Sequence, residues 1–229
     1  MPTRTRELPD LPSIFAPHRL REAGDALARA AALAPEHGAG TLAWVGAYAR
    51  AEAAVVLEPE LPLAAARLAL LAAANALADA LVVLGPPEAV VALRWPATLV
   101  VNGATCGQLR LAAPPGAAEA AVPDWLVVGF EAALAFPAGY EPGHDPGRTC
   151  LHEEGFADVT GAELTATWAR HLMAGLDRWQ AAGPGRLSAD FLARLLDGQD
   201  EAGLRRGIDP ATGALVLEAG GTRRHLPLA

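Results

Sequence analysis

Apolar residues recur every three or four positions along four stretches of the chain, the spacing that lines one face of an α-helix. The predicted helices run from His18 to Ala34, from Leu63 to Leu84, from Thr160 to the breaker at Gly183, and from Ser188 to Leu196. Each ends within two residues of a proline or glycine, because these residues interrupt helices. The third opens with a capping box, in which Thr160 and Glu163 satisfy backbone N–H groups of the first turn.

Shorter apolar runs predict β-strands between the helices. Their limits are Thr41–Val45, Ala51–Leu57, Ala89–Arg94, Leu99–Val101, Thr105–Leu111, Asp124–Gly129, Ala214–Glu218 and Arg223–Leu228. Asn102 and Gly103 predict a tight hairpin, because both central positions of a type I′ turn need a positive φ. The run that ends at Gly129 is continuously apolar after Asp124, which predicts an interior strand. The proline-rich arm up to Pro17 predicts an extended segment that docks on the body through its large apolar side chains.

The stretch Leu63–Leu84 is long and apolar enough to be compared with a membrane span. It carries Arg67, Asn75 and Asp79, which are four or eight residues apart and therefore share one face of a helix. This arrangement predicts a helix of the protein core with one solvated face, and no membrane contact is expected.

Composition narrows the range of partners. The 229 residues are 52% hydrophobic and 19% charged, which is sufficient for a substantial core, and the formal net charge is −8. All 18 basic residues are arginines, scattered along an acidic chain, so nucleic acid is an unexpected partner. No apolar secretory segment follows the first residues, and two cysteines make no disulfide framework. A cytoplasmic location is therefore expected.

The segment Arg94–Ala112 resembles the core signature of the biotin and lipoate protein ligases. That signature is an R/K-W-P turn, a strand, a hairpin, and then K-x-A-G-I/Q-L. The order of elements from Gly38 to Leu196 is also similar to the catalytic domain of this family. Gly207–Val216 is similar to the β appendage of biotin ligases, where G-I-D-x-x-G-A-L-L is common. The chain resembles an uncharacterised bacterial subgroup of the family more closely.

The resemblance implies an α+β fold of the class II synthetase type, in which a mixed sheet is covered by helices on one side. Residues 1–198 would form the ligase-like domain, and residues 199–229 a short β appendage. The family forms an acyl-adenylate from ATP and then transfers the acyl group to a lysine of a target protein. The implied cofactors are ATP and Mg²⁺, the implied ligand is biotin, lipoate or octanoate, and the implied partner is a biotinyl or lipoyl carrier protein.

The sequence departs from the family pattern at positions that carry the chemistry. Ala104 occupies the place of the lysine that holds the acyl carboxylate and the phosphate. Ala97 and Thr98 replace an Asn-Asp pair that sits near the nucleotide, and His37–Trp44 keeps the loop glycines without their arginines. Loss of a single charge-stabilising donor costs about 2.7–4 kcal/mol. We therefore expect that the binding pocket is retained and that several residues needed for ligation are lost.

The resemblance also assigns candidate site residues. The acid would be bound by Arg94, Trp95, Gly107, Gln108, Arg110 and Gly129. The nucleotide would be bound by Gly38, Gly40 and Trp44. Trp95 has the alternative of packing beneath its strand. No metal site is expected, because the residues around His144, Cys150 and His152 lack the repeated spacing of zinc ligands and fit a solvated loop rim.

Cys106 has two interpretations. It could act as a nucleophile that carries an acyl group, since thiolates attack activated acyl groups. It could also be a small buried side chain that occupies the family's alanine position, which the absence of a nearby histidine in the sequence favours.

Three functions stay open, and with them whether the chain is an active enzyme. The first is an ATP-dependent ligase for a small carboxylic acid. The second is a non-catalytic binder of such an acid, or of a biotinylated or lipoylated carrier domain, which the absence of lysine favours. The third is an acyltransferase that uses Cys106 without ATP. A homodimer formed through the sheet edge is also left open.

Overall fold

The computed structural model describes residues 8–137, 139–140, 145–198, 201 and 203–228. Over these ranges the helices are α1 Ala26–His37, α2 Leu63–Ala66, α3 Ala69–Leu84, α4 Gly161–Ala182 and α5 Pro184–Arg194. The strands are β1 Ala16–Leu20, β2 Thr41–Val45, β3 Arg50–Leu57, β4 Val91–Arg94, β5 Thr98–Val101, β6 Ala104–Ala112, β7 Leu126–Ala133, β8 Arg205–Ile208, β9 Leu215–Ala219 and β10 Thr222–Leu226.

Two sheets organise the chain. Seven strands form the main sheet in the order β1-β2-β3-β7-β6-β5-β4, and a second sheet has the order β10-β9-β8. The β1–β2 pair is parallel, whereas the other pairs of the main sheet are antiparallel, so this sheet is mixed. The predicted α+β class and the small C-terminal β element are confirmed.

Helices cover both faces of the main sheet, so the predicted covering of one side is wrong. On one face, α3 and α4 bury a large core that includes Leu77, Phe130 and Trp168. On the other face, α1 lies against a smaller core in which Ala30 meets Val56. Alternate residues of β2 and β3 project to opposite faces. Because both strands are apolar along nearly their whole length, each face of the sheet must be covered by a helix.

The first predicted helix is wrong at both ends. Residues 16–20 form β1, which pairs with β2 at the sheet edge, and this tertiary pairing overrides the helical spacing. α1 begins only after Asp25, whose side chain accepts a hydrogen bond from the Ala28 N–H. Pro35 lies inside the helix, which ends at Gly38 with a φ of 67°.

The Leu63–Leu84 segment is a core element, as predicted, although it is divided into α2 and α3. By length and composition it could cross a membrane, but 72% of its most apolar window is buried inside the protein. The predicted solvated face is wrong, because α5 packs on it. Asn75 is only 8% exposed and donates to the Leu187 carbonyl at 3.0 Å. Arg194 pairs with Asp79 and contacts the Asn75 side chain.

Local signals elsewhere have mixed outcomes. The hairpin at Asn102 and Gly103 is confirmed by φ values of 48° and 89°. The capping box at Thr160 is also confirmed. The helix predicted to begin at Ser188 instead begins at Pro184, capped by Gly183. β8 was not predicted, because its adjacent arginines hide any alternation of apolar and polar residues.

The N-terminal arm and the C-terminal sheet both pack on the large core. Leu8, Leu11 and Phe15 of the arm are partly buried against it, as predicted, whereas Ile14 is 64% exposed. Three side chains of the C-terminal part belong to the same core, namely Leu215, Leu217 and Leu228. A domain boundary at residue 198 stays a prediction.

Candidate functional site

A row of polar side chains crosses one face of the main sheet. Arg94 pairs with Thr98, Thr98 with Gln108, Gln108 with Glu131, and Glu131 with Glu52. Directly opposed residues of antiparallel strands project to the same face. These five side chains, called the polar row below, therefore share one face from β4 to β3.

The polar row lies on the face that carries α1. Glu52 fixes the side, since its Oε1 accepts a hydrogen bond of 2.7 Å from the backbone N–H of Ala26 in the first turn of α1. Arg94 and Gln108 are exposed, Thr98 and Glu131 are half-buried, and Glu52 is 3% exposed. The row thus runs from solvent at β4 to a buried end beneath the start of α1.

Four charged side chains meet at this buried end, and they form the charge cluster: Asp25, Arg50, Glu52 and Arg110. Arg50 Nη2 lies 3.1 Å from Glu52 Oε2, and Arg110 Nη2 lies 3.0 Å from Glu52 Oε1. Arg110 also donates to both carboxylate oxygens of Asp25 at 3.3 Å. Each guanidinium is therefore already matched by a carboxylate of the chain.

Burial and hydrogen bonding act in opposite directions on the two carboxyl groups of the cluster. Burial raises the pKa of Glu52 above its ordinary value, although the Ala26 N–H and the charges of Arg50 and Arg110 act against this change. The hydrogen bond from Ala28 has the largest effect and lowers the pKa of Asp25, burial raises it by less, and the hydrogen bond and charge of Arg110 lower it further. With both carboxyl groups ionised, two positive and two negative charges cancel within the cluster.

The two glycines that were predicted to bind the acid instead allow the backbones of adjacent strands to lie close together. A Cβ on Gly129 would lie 2.6 Å from the Ala53 carbonyl oxygen, and one on Gly107 would lie 2.3 Å from the Glu131 carbonyl oxygen. Gly107 pairs with the buried Leu99, which projects toward the large core. Gly129 pairs with Arg110 on the face of α1. Both positions need glycine because neighbouring backbone occupies the space.

The structure separates Arg94 from Trp95, two further residues that were predicted to bind the acid. Arg94 extends from the outer end of the polar row, where its Nη1 donates to Thr105 Oγ1 at 3.2 Å. Over the described ranges, no carboxylate forms an ion pair with Arg94. Trp95 is partly buried against the large core, with its ring 6.0 Å from that of Phe191. Its Nε1 donates to the Pro227 carbonyl at 3.2 Å, which favours the packing alternative.

The predicted nucleotide-binding residues are not brought to the charge cluster. Gly38 and Gly40 form the turn from α1 into β2, with φ values of 67° and 85°. They follow the C-terminal end of α1, and a 12-residue helix is about 18 Å long. Asp25 precedes the other end of that helix. Gly38 and Gly40 therefore lie at the opposite end of α1 from the charge cluster and its one predicted member, Arg110.

Trp44, the third predicted nucleotide-binding residue, lies on the opposite face of the sheet, against the large core. The guanidinium of Arg19 is 5.5 Å from its ring centroid. Both residues line a pocket of about 430 Å³ beneath the N-terminal arm, called the arm pocket below. The rest of its lining is Leu8, Leu11, Pro12, Ser13, Phe15 and Pro17.

Cys106 is enclosed in the protein. Its side chain is 3% exposed, and Sγ lies 3.6 Å from the Ala133 carbonyl oxygen. Burial, with smaller contributions from Cys150 and Glu154, raises the pKa of the Cys106 thiol to about 12. The thiolate is the nucleophile in acyl transfer. The packing interpretation of Cys106 is therefore favoured over the nucleophilic one.

Metal ligands were not expected from the sequence. Within the part of the chain that is described, no group of three or more His, Cys, Asp or Glu side chains has an arrangement that could hold a metal ion. Cys150 is fully buried, and His152 Nε2 lies 3.5 Å from the Val159 carbonyl oxygen. His144 lies outside the described residues.

Sequence reasoning missed three members of the charge cluster: Asp25, Arg50 and Glu52. One signal was available, because Glu52 is the single charge within the apolar run Ala51–Leu57. Charged residues are almost never fully buried without a partner. A charge inside an interior strand therefore predicts that arginine or helix N–H partners lie close by.

Comparison with known proteins identifies the class. The profile of the Biotin/lipoate A/B protein ligase family matches residues 11–193, so the chain belongs to this family. A biotin protein ligase-like protein of unknown function from Silicibacter sp. TM1040 is 30% identical. The structures superpose with a TM-score of 0.81, over 95% of this chain and 96% of that one. Among curated proteins, no sequence matches.

More distant structures share the fold. Biotin protein ligase from Aquifex aeolicus in complex with biotin and ATP is 14% identical, with a TM-score of 0.68 over 92% of this chain and 95% of that one. Biotin protein ligase from Leishmania major in complex with biotinyl-5-AMP is 16% identical, with a TM-score of 0.59 over 92% of this chain and 98% of that one.

Proposed function

We propose that this protein binds a small carboxylic acid of the biotin or lipoate class on the polar row and does not adenylate it. The observation that carries the proposal is the charge cluster. Arg50 and Arg110 are already paired with Glu52 and Asp25. They are therefore not free to hold the phosphates of ATP.

The residues of the site do not fit ATP and Mg²⁺. Adenylation needs cations that stabilise the charge developing at the α-phosphate and carboxylates that place the metal ion. The family's lysine is replaced by Ala104, and the chain contains no lysine. Asp25 and Glu52 accept hydrogen bonds from arginines, which occupy oxygen atoms that a metal ion would need. The side chains of the charge cluster therefore do not support an ATP-dependent step.

The exposed part of the polar row is suited to an acid that is polar at both ends. Arg94 offers a planar fork of donors that matches a carboxylate. Thr98, Gln108 and Glu131 offer both donors and acceptors to a ureido ring such as that of biotin. An octanoate chain that covered these groups would leave them unpaired, at a cost of about 1–3 kcal/mol for each group that it removes from solvent. Biotin is therefore the preferred ligand of the three acids.

Isothermal titration calorimetry with biotin, lipoate and octanoate tests acid binding, and a pyrophosphate assay with ATP, Mg²⁺ and each acid tests adenylation. We expect biotin to bind most tightly, with no pyrophosphate release. Arg94→Met should weaken biotin binding about tenfold, the value of one charge-assisted hydrogen bond. Arg19→Met is the matched control, because it removes an arginine from the arm pocket. Pyrophosphate release above background would overturn the proposal.

Two outcomes would change the proposed binding site or the proposed ligand. If Arg19→Met abolishes binding and Arg94→Met does not, the acid occupies the arm pocket. If biotinamide binds as tightly as biotin, Arg94 does not engage a carboxylate. The biotinylated carrier domain then becomes the better candidate. The homodimer and the cytoplasmic location stay predictions, which gel filtration and cell fractionation would test.

A further inference from the structure

We infer that Glu52 is the specificity-determining residue that keeps phosphate groups out of the buried end of the polar row, by occupying an anion-binding site with its own carboxylate. The inference deepens the proposed function, on which it rests for the identity of the site. It accounts for two arginines beside a helix N-terminus that, in the proposed function, hold no nucleotide.

The surroundings of the Glu52 carboxylate are those of a bound anion. One oxygen accepts from the Ala26 N–H at 2.7 Å and lies 3.0 Å from Arg110 Nη2. The other oxygen lies 3.1 Å from Arg50 Nη2. Backbone N–H groups at the start of a helix, combined with guanidinium forks, are the donors that proteins use for phosphate. Glu52 is 3% exposed, so the anion that these donors hold is the chain's own carboxylate, whose negative charge would repel a second anion.

The two arginines have further partners that would keep them in place without Glu52. Arg50 Nη2 donates to the carbonyl oxygens of Glu22 and Gly24, at 2.9 and 2.8 Å. Arg110 remains paired with Asp25, whose side chain also caps α1. Removal of the Glu52 charge should therefore leave positioned donors rather than collapsed side chains. Preorganised donors of this kind bind an incoming anion at a lower entropic cost.

The effect of replacing Glu52 distinguishes two roles. Glu52 is either a purely structural partner in an ion pair or a built-in anion, that is, a carboxylate that occupies an anion-binding site. Replacement of a structural partner changes stability alone, and the effect on stability can be small or large. Replacement of a built-in anion also creates affinity for an external one. The decisive readout is therefore a gain of anion binding, which the loss of a structural contact does not produce.

The test is isothermal titration with pyrophosphate, without Mg²⁺ and at fixed ionic strength, on the full chain. Glu52→Gln keeps the volume of the side chain and removes its charge. We expect this variant to bind pyrophosphate at least about tenfold more tightly than the wild type, a difference of about 1.4 kcal/mol, since both arginines become available for charge-assisted hydrogen bonds to an external anion. The double variant Glu52→Gln/Arg110→Met should lose the gain.

Glu119→Gln is the matched control. Glu119 forms an ion pair with Arg67, so its replacement also frees one arginine and changes the net charge by the same amount. The freed arginine lacks the second guanidinium and the helix N–H of the charge cluster. We expect no gain in pyrophosphate affinity for this variant. An equal gain in both variants would show that net charge alone is responsible and would overturn the inference.

If Glu52→Gln folds poorly, the effect of pyrophosphate on the melting temperature provides a second measurement. Pyrophosphate should raise the melting temperature of Glu52→Gln, and of Glu52→Ala, more than chloride of equal ionic strength does. If neither variant gains affinity or stability from pyrophosphate, or if the wild type binds it as tightly as they do, the inference is wrong. Because the probe is pyrophosphate, this result is independent of whether the wild type binds biotin.

Discussion

Replacement of Arg110 by methionine should destabilise the protein in a way that depends on pH. Arg110 donates to Glu52 at 3.0 Å and to both oxygens of Asp25 at 3.3 Å. Without it, the nearly buried Glu52 keeps only Arg50 and the Ala26 N–H. Methionine retains most of the apolar stem, so the loss is mainly electrostatic.

Loss of a partner from a fully buried ion pair costs about 3–5 kcal/mol. Here the Arg110 side chain is 31% exposed and that of Asp25 is 49% exposed, and solvent screens the interaction. We therefore expect a decrease of about 2 kcal/mol in the free energy of unfolding at neutral pH. For a chain of this size this corresponds to about 4–8 °C in melting temperature.

The sign of the pH dependence follows from the two carboxyl groups. Arg110 lowers the pKa of both Glu52 and Asp25, so it stabilises their charged forms. Its contribution is present while they are ionised and is lost as the pH falls and they become protonated. The stability difference between Arg110→Met and the wild type should therefore shrink on acidification. Urea unfolding followed by circular dichroism, across a pH series, measures this difference.

Arg67→Met is the control for this experiment. Its partner Glu119 is 61% exposed, and such surface pairs contribute about 0–1 kcal/mol. A loss for Arg110→Met no greater than that for Arg67→Met would refute the buried character of the charge cluster. A loss that stays constant down to acid pH would refute its electrostatic origin.

Three further changes probe the packing. Gly107→Ala should lower the free energy of unfolding, measured in urea, by about 1–3 kcal/mol, because its Cβ would lie 2.3 Å from a β7 carbonyl oxygen. Gly175→Ala is the control and should not destabilise the protein, because the space around Gly175 in α4 is open. Asn75→Leu should cost about 1–3 kcal/mol by the same measurement, since the Leu187 carbonyl loses its side-chain donor and Arg194 loses the Asn75 Oδ1 acceptor. Cys106 should resist iodoacetamide in the native protein, by mass spectrometry, and react after denaturation, because its thiol is buried with a pKa of about 12.

Each of these expectations has a result that would contradict it. Equal stability of Gly107→Ala and Gly175→Ala would mean that β6 and β7 are not held as close as described. An unchanged unfolding free energy for Asn75→Leu would mean that the face between α3 and α5 is solvated after all. Rapid alkylation of native Cys106 would restore the nucleophilic interpretation.

Local signals predicted the parts of the fold that depend on a few neighbouring residues. The hairpin at Asn102 and the capping box at Thr160 follow from backbone geometry that adjacent side chains determine. The segment Arg94–Ala112 carried the family resemblance. β1 could not be predicted in this way, because an edge strand depends on a partner that lies far along the sequence.

The charge cluster depends on long-range contacts even more strongly. Arg110 is 85 residues from Asp25 and 58 from Glu52. No spacing rule connects residues so far apart, and only the order of strands β3, β7 and β6 brings them together. The same ordering places Thr98 and Gln108 in line with Glu131. Sequence motifs therefore indicated the family. The residues that make up the site could be identified only from the strand order of the main sheet.

The hydrogen bond from Trp95 to Pro227 has a practical consequence for work on this protein. The final strand region supports the same corner of the main sheet from which Arg94 extends. Trimming the carboxyl end, or fusing a bulky tag there, would disturb the orientation of an arginine far away in sequence. Ligand affinities measured on shortened or C-terminally tagged protein should therefore differ from those of the full chain.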